Sequence, residues 1–214
     1  MGGIPTRLYD PVGSRGLLLL GHGGGHSKDG DLFIRLSRRY AEELGLAVAC
    51  IDGVDHGERR PAAAGVDVPT GWHSRSTPQM VADWRCVVEE LSSLGPAVAY
   101  VGFSMGAIFG IATIASIPSI TAAVFVAGGI PRGQWTQDPD LEPLLLGAAG
   151  RLGGADVLML SMEEDELFDA DDVRRLFDGV CARSKTLTFF PGNHDDWEPD
   201  VIDTSVRFLR EHVG

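Results

Sequence analysis

The sequence has few cysteines and lacks any apolar run of membrane-spanning length. Cys50, Cys86 and Cys181 lie far apart in a chain of 214 residues. Cysteine-based metal sites and disulfide frameworks need cysteines at short or paired spacings, so we expect neither, and the pattern is typical of a reducing compartment. No stretch reaches the roughly 20 apolar residues of a membrane helix. These absences predict a cytoplasmic protein with no metal and no membrane partner.

Basic residues are scarce as well. The chain carries 18 lysines and arginines against 30 aspartates and glutamates, which gives a net charge of −12. Nucleic acids and anionic membranes are bound through a basic face that neutralises phosphates, so this balance argues against both as partners. Apolar residues are abundant, at 44% of the chain, and they suffice for the core of a single domain over residues 1–214.

A serine flanked by glycines is the most informative motif, in the stretch from Tyr100 to Gly106. Residues 96–101 before it predict a buried strand, and the apolar residues 107–116 after it predict a buried helix. In that context the pattern Gly-x-Ser-x-Gly places Ser104 on a sharp, strained turn, with its hydroxyl exposed at the edge of a sheet. The alternative is a glycine-flanked serine in an ordinary turn, which the flanking strand and helix disfavour.

Strand-like and helix-like segments alternate along the whole chain. The predicted strands are residues 16–20, 46–51, 96–101, 120–126, 156–161 and 186–190. Apolar residues at helical spacing recur between them, which predicts an α/β fold with a mostly parallel sheet covered on both faces. Residues 128–153, which include Leu141 and a leucine run at 144–146, are predicted to form a small cap-like insertion with one short helix.

Polar residues that follow the predicted strands are candidates for a site, because ligands of such sheets bind outside the carboxyl ends of the strands. A glycine cluster, His22 to His26, follows the first predicted strand. Four acidic residues, Glu163 to Glu166, follow the fifth strand, and His194 follows the sixth. A serine nucleophile needs a base to take its proton, and that base needs a carboxylate to fix its tautomer. The chain supplies them in the order serine, acid, histidine.

Together these motifs resemble the α/β-hydrolase superfamily, in particular its serine esterases and lipases. The resemblance covers nearly the whole chain from Gly16 onward. The matching segments are His22-Gly23-Gly24-Gly25, Asp52 to Gly57, Gly102 to Gly106, Asp165-Glu166-Leu167-Phe168 and Gly192-Asn193-His194. Few residues precede the first predicted strand, so the usual first hairpin of the family is expected to be shortened or missing.

The resemblance implies a serine hydrolase that needs no metal or cofactor. It assigns Ser104 as the nucleophile, Asp165 as the acid and His194 as the base. It places the donors of the oxyanion hole at the backbone N–H groups of Gly24 and Met105. The remaining acidic candidates, expected to be solvated or helix-capping residues, are Glu163, Glu164 and Asp169.

The substrate and the other histidines are less constrained by the motifs. A modest apolar pocket is expected, which favours small-molecule esters with acyl chains of about two to six carbons. Its expected lining residues are Phe103, Trp135, Phe168 and Trp72.

The histidines expected on the surface or in loops are His26, His56, His73 and His212.

Several functions use the same fold and the same catalytic parts. Thioesterases and amidases share them, and the sequence does not separate these activities from that of a carboxylesterase. A non-catalytic small-molecule-binding protein on the same fold is a further alternative, which an intact set of three catalytic residues disfavours. The oligomeric state cannot be predicted from the sequence.

Overall fold

The computed structural model describes residues 3–61, 74–131, 138–197 and 199–213. Its strands are β1 (Thr6–Tyr9), β2 (Leu17–Gly21), β3 (Ala47–Ile51), β4 (Ala97–Phe103), β5 (Ala122–Val126), β6 (Asp156–Met162) and β7 (Ser184–Phe190). They form one sheet in the order β1-β3-β2-β4-β5-β6-β7. Each neighbouring pair is parallel except β1 and β3, which are antiparallel.

The inner strands are continuous apolar runs because helices cover the sheet on both faces. In β2, the four residues from Leu17 to Leu20 have no exposed surface. Successive side chains of a strand point to opposite faces, so Leu17 and Leu19 join one core cluster while Leu18 and Leu20 join the other. The sheet therefore separates two apolar cores.

The six α-helices of the described residues divide between these two cores. They are α1 (Asp31–Leu44), α2 (Thr77–Glu90), α3 (Met105–Ile114), α4 (Leu141–Ala149), α5 (Ala170–Gly179) and α6 (Asp200–His212). Buried residues of α1 and α6 belong to one core, and those of α2, α3, α4 and α5 to the other. The predicted α/β fold with a doubly covered, mostly parallel sheet is confirmed. None of the helices in the described ranges is long and apolar enough to cross a membrane.

Between β5 and β6 the described residues form one short helix, α4, as the sequence predicts, but its leucines are placed differently. Helix α4 packs against α3 and α5, and its Leu141 and Leu145 are 2% and 0% exposed in the core. These leucines were expected in a cap-like insertion, but the structure makes them part of a helical layer. The N-terminal segment agrees with the expectation of a shortened or missing first hairpin, since residues 3–16 contribute one short strand, β1.

Candidate active site

Ser104 occupies the turn between β4 and α3, with backbone angles φ 50° and ψ −113°. A positive φ strains a non-glycine residue, at a cost of roughly 1–3 kcal/mol. The turn is tight on both sides: a Cβ at Gly102 would collide with the carbonyl of Gly106, and a Cβ at Gly106 would collide with the carbonyl of Gly21. Both glycines of the motif are therefore required by close backbone approach.

The structure brings Ser104 together with His194 and Asp165. The Oγ of Ser104 lies 2.8 Å from Nε2 of His194, and Nδ1 of His194 lies 2.9 Å from Oδ2 of Asp165. Because a carboxylate only accepts, Nδ1 carries the proton and Nε2 of the neutral ring is free to accept from the serine. The side chains of His194 and Asp165 are 6% and 0% exposed. This geometry can activate a hydroxyl for attack on a carbonyl group.

Asp165 is the member of the acidic turn (residues 163–168) that reaches the histidine ring. Its Oδ1 accepts from the backbone N–H groups of Leu167 at 2.8 Å and Phe168 at 2.9 Å. Those two bonds leave Oδ2 directed at His194. The carboxylate is therefore held in one orientation by the turn that it starts. Asp169, the other candidate in this region, caps α5 by accepting from the N–H of Asp171 at 2.9 Å.

Two further glutamates of the acidic turn bind the histidine loop (residues 191–197). Glu164 accepts from the N–H of Gly192 at 2.6 Å, and Glu166 accepts from the N–H of His194 at 3.1 Å. Sequence reasoning assigned Glu164 to solvent or to a cap, and gave Glu166 no role. The contact between the two loops follows from the parallel pairing of β6 with β7, in which Met162 and Phe190 are partners at the ends of the strands. Segments that leave such strands in register run side by side.

The predicted oxyanion donors lie on two different segments. Met105 is the first residue of α3, where backbone N–H groups have no acceptor within the helix and favour negative charge. Gly24 is half-buried in the glycine loop (residues 22–26) that follows β2. This loop approaches the serine at Gly23, where an added Cβ would lie 3.5 Å from the Cβ of Ser104. The roles of Gly24 and Met105 as donors remain predictions.

His22 fixes the start of the glycine loop. Its ring is 2% exposed, Nε2 accepts from the N–H of Gly53 at 2.8 Å, and Nδ1 lies 2.8 Å from the carbonyl oxygen of Gly23. These partners require a neutral ring with the proton on Nδ1. Burial lowers the pKa of His22 to about 4, so the ring is neutral at pH 7. The glycine loop is thus tied to the loop after β3.

Asp52, directly after β3, strengthens this connection. Its fully buried carboxylate accepts from the N–H groups of Lys28 at 2.9 Å and Glu58 at 3.0 Å, and lies 3.4 Å from Nζ of Lys28. Burial alone would lower the pKa of Lys28, but hydrogen bonds to Asp29 and Glu58 raise it above its ordinary value. The segment from Asp52 to Gly57 therefore has a structural role in this chain, as a polar anchor for the residues after the glycine loop.

The histidines expected on the surface or in loops differ in their surroundings. His56 is in a loop but is only 9% exposed, because its ring packs 5.5 Å from that of His22. The loop position agrees with the expectation, although the side chain is buried. His26 and His212 are half-buried, the latter stacked on Phe208. His73 lies outside the described residues.

The two predicted pocket residues that the structure describes, Phe103 and Phe168, lie in different surroundings. Phe103 is fully buried and packs edge-on against Phe33 at 5.6 Å, so it is a core residue and the prediction is wrong. Phe168 is 1% exposed, and its ring lies 5.5 Å from that of His194, so it packs beside the histidine. Trp72 and Trp135 lie outside the described residues.

The structure also contains a cavity of about 380 Å³ beside α4 and α5. Four of its described lining residues are charged, whereas the sequence predicts an apolar pocket. Its described lining residues are Ile130, Pro131, Asp138, Pro139, Leu141, Glu142, Asp172 and Arg175. The side chains of Ser104, Asp165 and His194 do not contribute to this lining. Within the described ranges, no group of three or more His, Cys, Asp or Glu side chains is arranged to hold a metal ion.

The fold agrees with the comparisons. A model of the alpha/beta hydrolase family matches residues 17–209, and the chain belongs to that family. It is similar to a cold-adapted esterase from an Arctic intertidal metagenomic library, at 26% identity and a TM-score of 0.81, over 97% of this chain and 88% of that chain. None of the curated proteins matches its sequence.

Two solved structures are similar at lower identity. The esterase Pf2001 of Pyrococcus furiosus shares 16% identity with a TM-score of 0.73, over 94% of this chain and 85% of that chain. A monoacylglycerol lipase of Paleococcus ferrophilus shares 18% identity with a TM-score of 0.71, over 97% of both chains. At these identities the likeness concerns the fold.

Proposed function

We propose that the protein is a serine hydrolase that cleaves a carboxylic ester or thioester of a small substrate through an acyl-enzyme on Ser104. The observation that carries the proposal is the hydrogen-bonded series from Ser104 to His194 to Asp165, set on a strained turn. The likeness to the Arctic esterase supports an ester as the substrate class. The three unpaired cysteines support the expected reducing, cytoplasmic compartment.

The first half of the reaction is nucleophilic attack. Nε2 of His194 takes the proton of Ser104 as Oγ attacks the substrate carbonyl, and Asp165 stabilises the imidazolium that forms. Negative charge develops on the carbonyl oxygen, where the N–H groups of Met105 and Gly24 are expected to donate. Loss of one such donor in a hydrolase typically costs about 3 kcal/mol in kcat.

The second half releases the products. His194 returns its proton to the leaving alcohol or thiol, and the acyl group remains on Ser104. A water molecule, deprotonated by the same histidine, then attacks the acyl-enzyme and frees the acid. Each of these steps uses groups of this chain and water.

Covalent labelling of the serine tests the proposal. A fluorophosphonate should add one adduct to the wild-type protein, as measured by intact mass, and Ser104→Ala should abolish both the adduct and the hydrolysis of p-nitrophenyl butyrate. Persistence of the adduct in Ser104→Ala, or its absence in the wild type, would contradict the proposal. A non-catalytic binding protein would give neither the adduct nor turnover.

A panel of substrates separates the related activities. We expect p-nitrophenyl esters and acyl thioesters to be cleaved faster than the matching anilides. Because Leu141 and Leu145 lie in the core, fewer apolar side chains are available to cover an acyl chain. We therefore expect kcat/KM to be highest for acyl groups of about two to six carbons. A steady rise to twelve carbons would show that a longer apolar channel exists.

A further inference from the structure

Trp197 is a buried tryptophan at the end of the histidine loop, with 3% of its surface exposed. Its indole N–H donates to the carbonyl oxygen of His194. The N–H of His194 in turn donates to Glu166, and its ring binds Asp165. Both backbone polar groups of His194 are thus engaged by side chains, one from the acidic turn and one from its own loop.

The ring of Trp197 also reaches the two other segments around Ser104. Its centroid lies 5.1 Å from that of Phe103, the residue before the serine, and 5.9 Å from that of His26 in the glycine loop. A Cβ at Gly23 would lie 3.3 Å from Cη2 of the indole, so the ring fills the space beside that glycine. Trp197 therefore contacts the segments that carry the nucleophile, the base and a predicted oxyanion donor.

We propose that Trp197 is a positioning residue: its indole N–H holds the carbonyl of His194, and this bond sets the spacing between His194 and the glycine loop, against which the ring packs. This inference rests on the proposed function, because it assigns a role in the same reaction. Loss of the indole N–H would leave the carbonyl of His194 without this donor, and loss of ring volume would let the histidine loop and the glycine loop approach each other. The 2.8 Å contact between Ser104 and His194 depends on that spacing.

The test compares Trp197→Phe with a matched control, Tyr40→Phe. Tyr40 is fully buried in the same core cluster, and its hydroxyl forms a 2.6 Å hydrogen bond with Ser205 between α1 and α6. Both variants lose a buried hydrogen bond, but only Trp197 contacts the loops of the site. The measurements are kcat and KM for p-nitrophenyl butyrate, the rate of fluorophosphonate labelling, and the melting temperature.

We expect both variants to melt at lower temperature than the wild type. In Trp197→Phe, kcat and the labelling rate should fall on the order of 10- to 100-fold, with KM within about threefold, since small misplacements of catalytic groups cost this much. Tyr40→Phe should keep kcat within about twofold of the wild type. Equal kcat in the two variants would overturn the inference.

A second replacement decides the matter if Trp197→Phe does not fold. Site-specific incorporation of benzothienylalanine at position 197 keeps the shape of the indole but substitutes sulfur for the N–H. A fall in kcat of about fivefold or more, the equivalent of one lost hydrogen bond, supports the inference, and an unchanged kcat overturns it. Failure of the proposed function looks different, because the wild-type protein itself would then show neither turnover nor labelling of Ser104.

Discussion

The two sides of the candidate site are anchored in different ways. On the base side, the histidine loop is held by carboxylates of the acidic turn, and both Glu164 and Glu166 are exposed. On the glycine side, the anchors His22, Lys28 and Asp52 are all buried. Exposed hydrogen bonds contribute little to the free energy of folding. Removal of a buried polar side chain costs more, because it leaves its partners buried without a hydrogen bond. We therefore expect changes on the base side to alter turnover, and changes on the glycine side to alter stability first.

The largest effect is expected on the base side, from Asp165→Asn. An amide cannot hold the imidazole in the required tautomer, so kcat should fall on the order of 10⁴-fold while the fold is kept. Steady-state kinetics and circular dichroism measure the two quantities. Glu164→Gln is the control and should remain near wild type, because the new amide oxygen can still accept from Gly192. A large fall in kcat in Glu164→Gln, with Asp165→Asn near wild type, would show that the assignment of Asp165 as the acid is wrong.

On the glycine side, Asp52→Ala should mainly lower stability. It removes a buried carboxylate that accepts two backbone N–H groups and faces the buried Lys28. Breaking a buried charged pair in this way typically costs about 3–5 kcal/mol, which urea unfolding would measure. Asp29→Asn removes a partner of the same lysine, but Asp29 is 43% exposed, so its loss should cost under about 1 kcal/mol. Equal losses in the free energy of unfolding of the two variants would contradict the view that buried residues anchor the glycine side.

The pH dependence of stability reports on His22. Its pKa is about 4 in the folded protein, below the unfolded value of 6.5, so the unfolded state binds more protons between these values. The stabilisation by the neutral ring is complete above pH 6.5 and is lost as the pH falls towards 4. The loss is on the order of 2–3 kcal/mol between pH 7 and 4.

The variant His22→Gln isolates this contribution. Glutamine can donate to Gly23 and accept from Gly53 without titrating, so its free energy of unfolding should change less than that of the wild type over the same range. His26, whose pKa is also lowered by burial, is present in both proteins and cancels in the comparison. Parallel pH curves for the two proteins would show that His22 is not the titrating group.

The smallest effect is expected from Glu166→Ala. The hydrogen bond from His194 to this exposed carboxylate is worth about 1 kcal/mol or less, so kcat should fall about two- to fivefold. Glu166→Gln, which keeps an acceptor oxygen, should stay near wild type. Kinetics at two salt concentrations would distinguish a hydrogen bond from a charge effect, because only the charge effect is screened.

The sequence predicts the sheet, the serine turn and the identity of the three central residues for a physical reason. Ser104 and Asp165 each follow a buried apolar strand, and His194 follows the half-exposed strand β7. Parallel strands bring their carboxyl ends to one edge of the sheet. Such information is local in the chain.

Other features depend on contacts between segments that are distant in sequence. The role of Trp197 requires the histidine loop to fold back against Gly23, and the burial of His56 requires the ring of His22. Phe103, in the serine motif, is one of the residues expected to line a pocket. Its place as the last residue of β4 turns its ring towards Phe33 in the core. Pattern alone does not reveal which face such a residue occupies.

The left-handed backbone of Ser104 also bears on how this protein would respond to selection. Glycine adopts such angles without the penalty that serine bears, so Ser104→Gly should raise the melting temperature while abolishing hydrolysis. A search for thermostable variants that ignored activity would therefore favour glycine at this position. Only a screen that couples survival to ester cleavage would retain the serine. A strained serine that persists at this position would then indicate that hydrolysis itself is under selection.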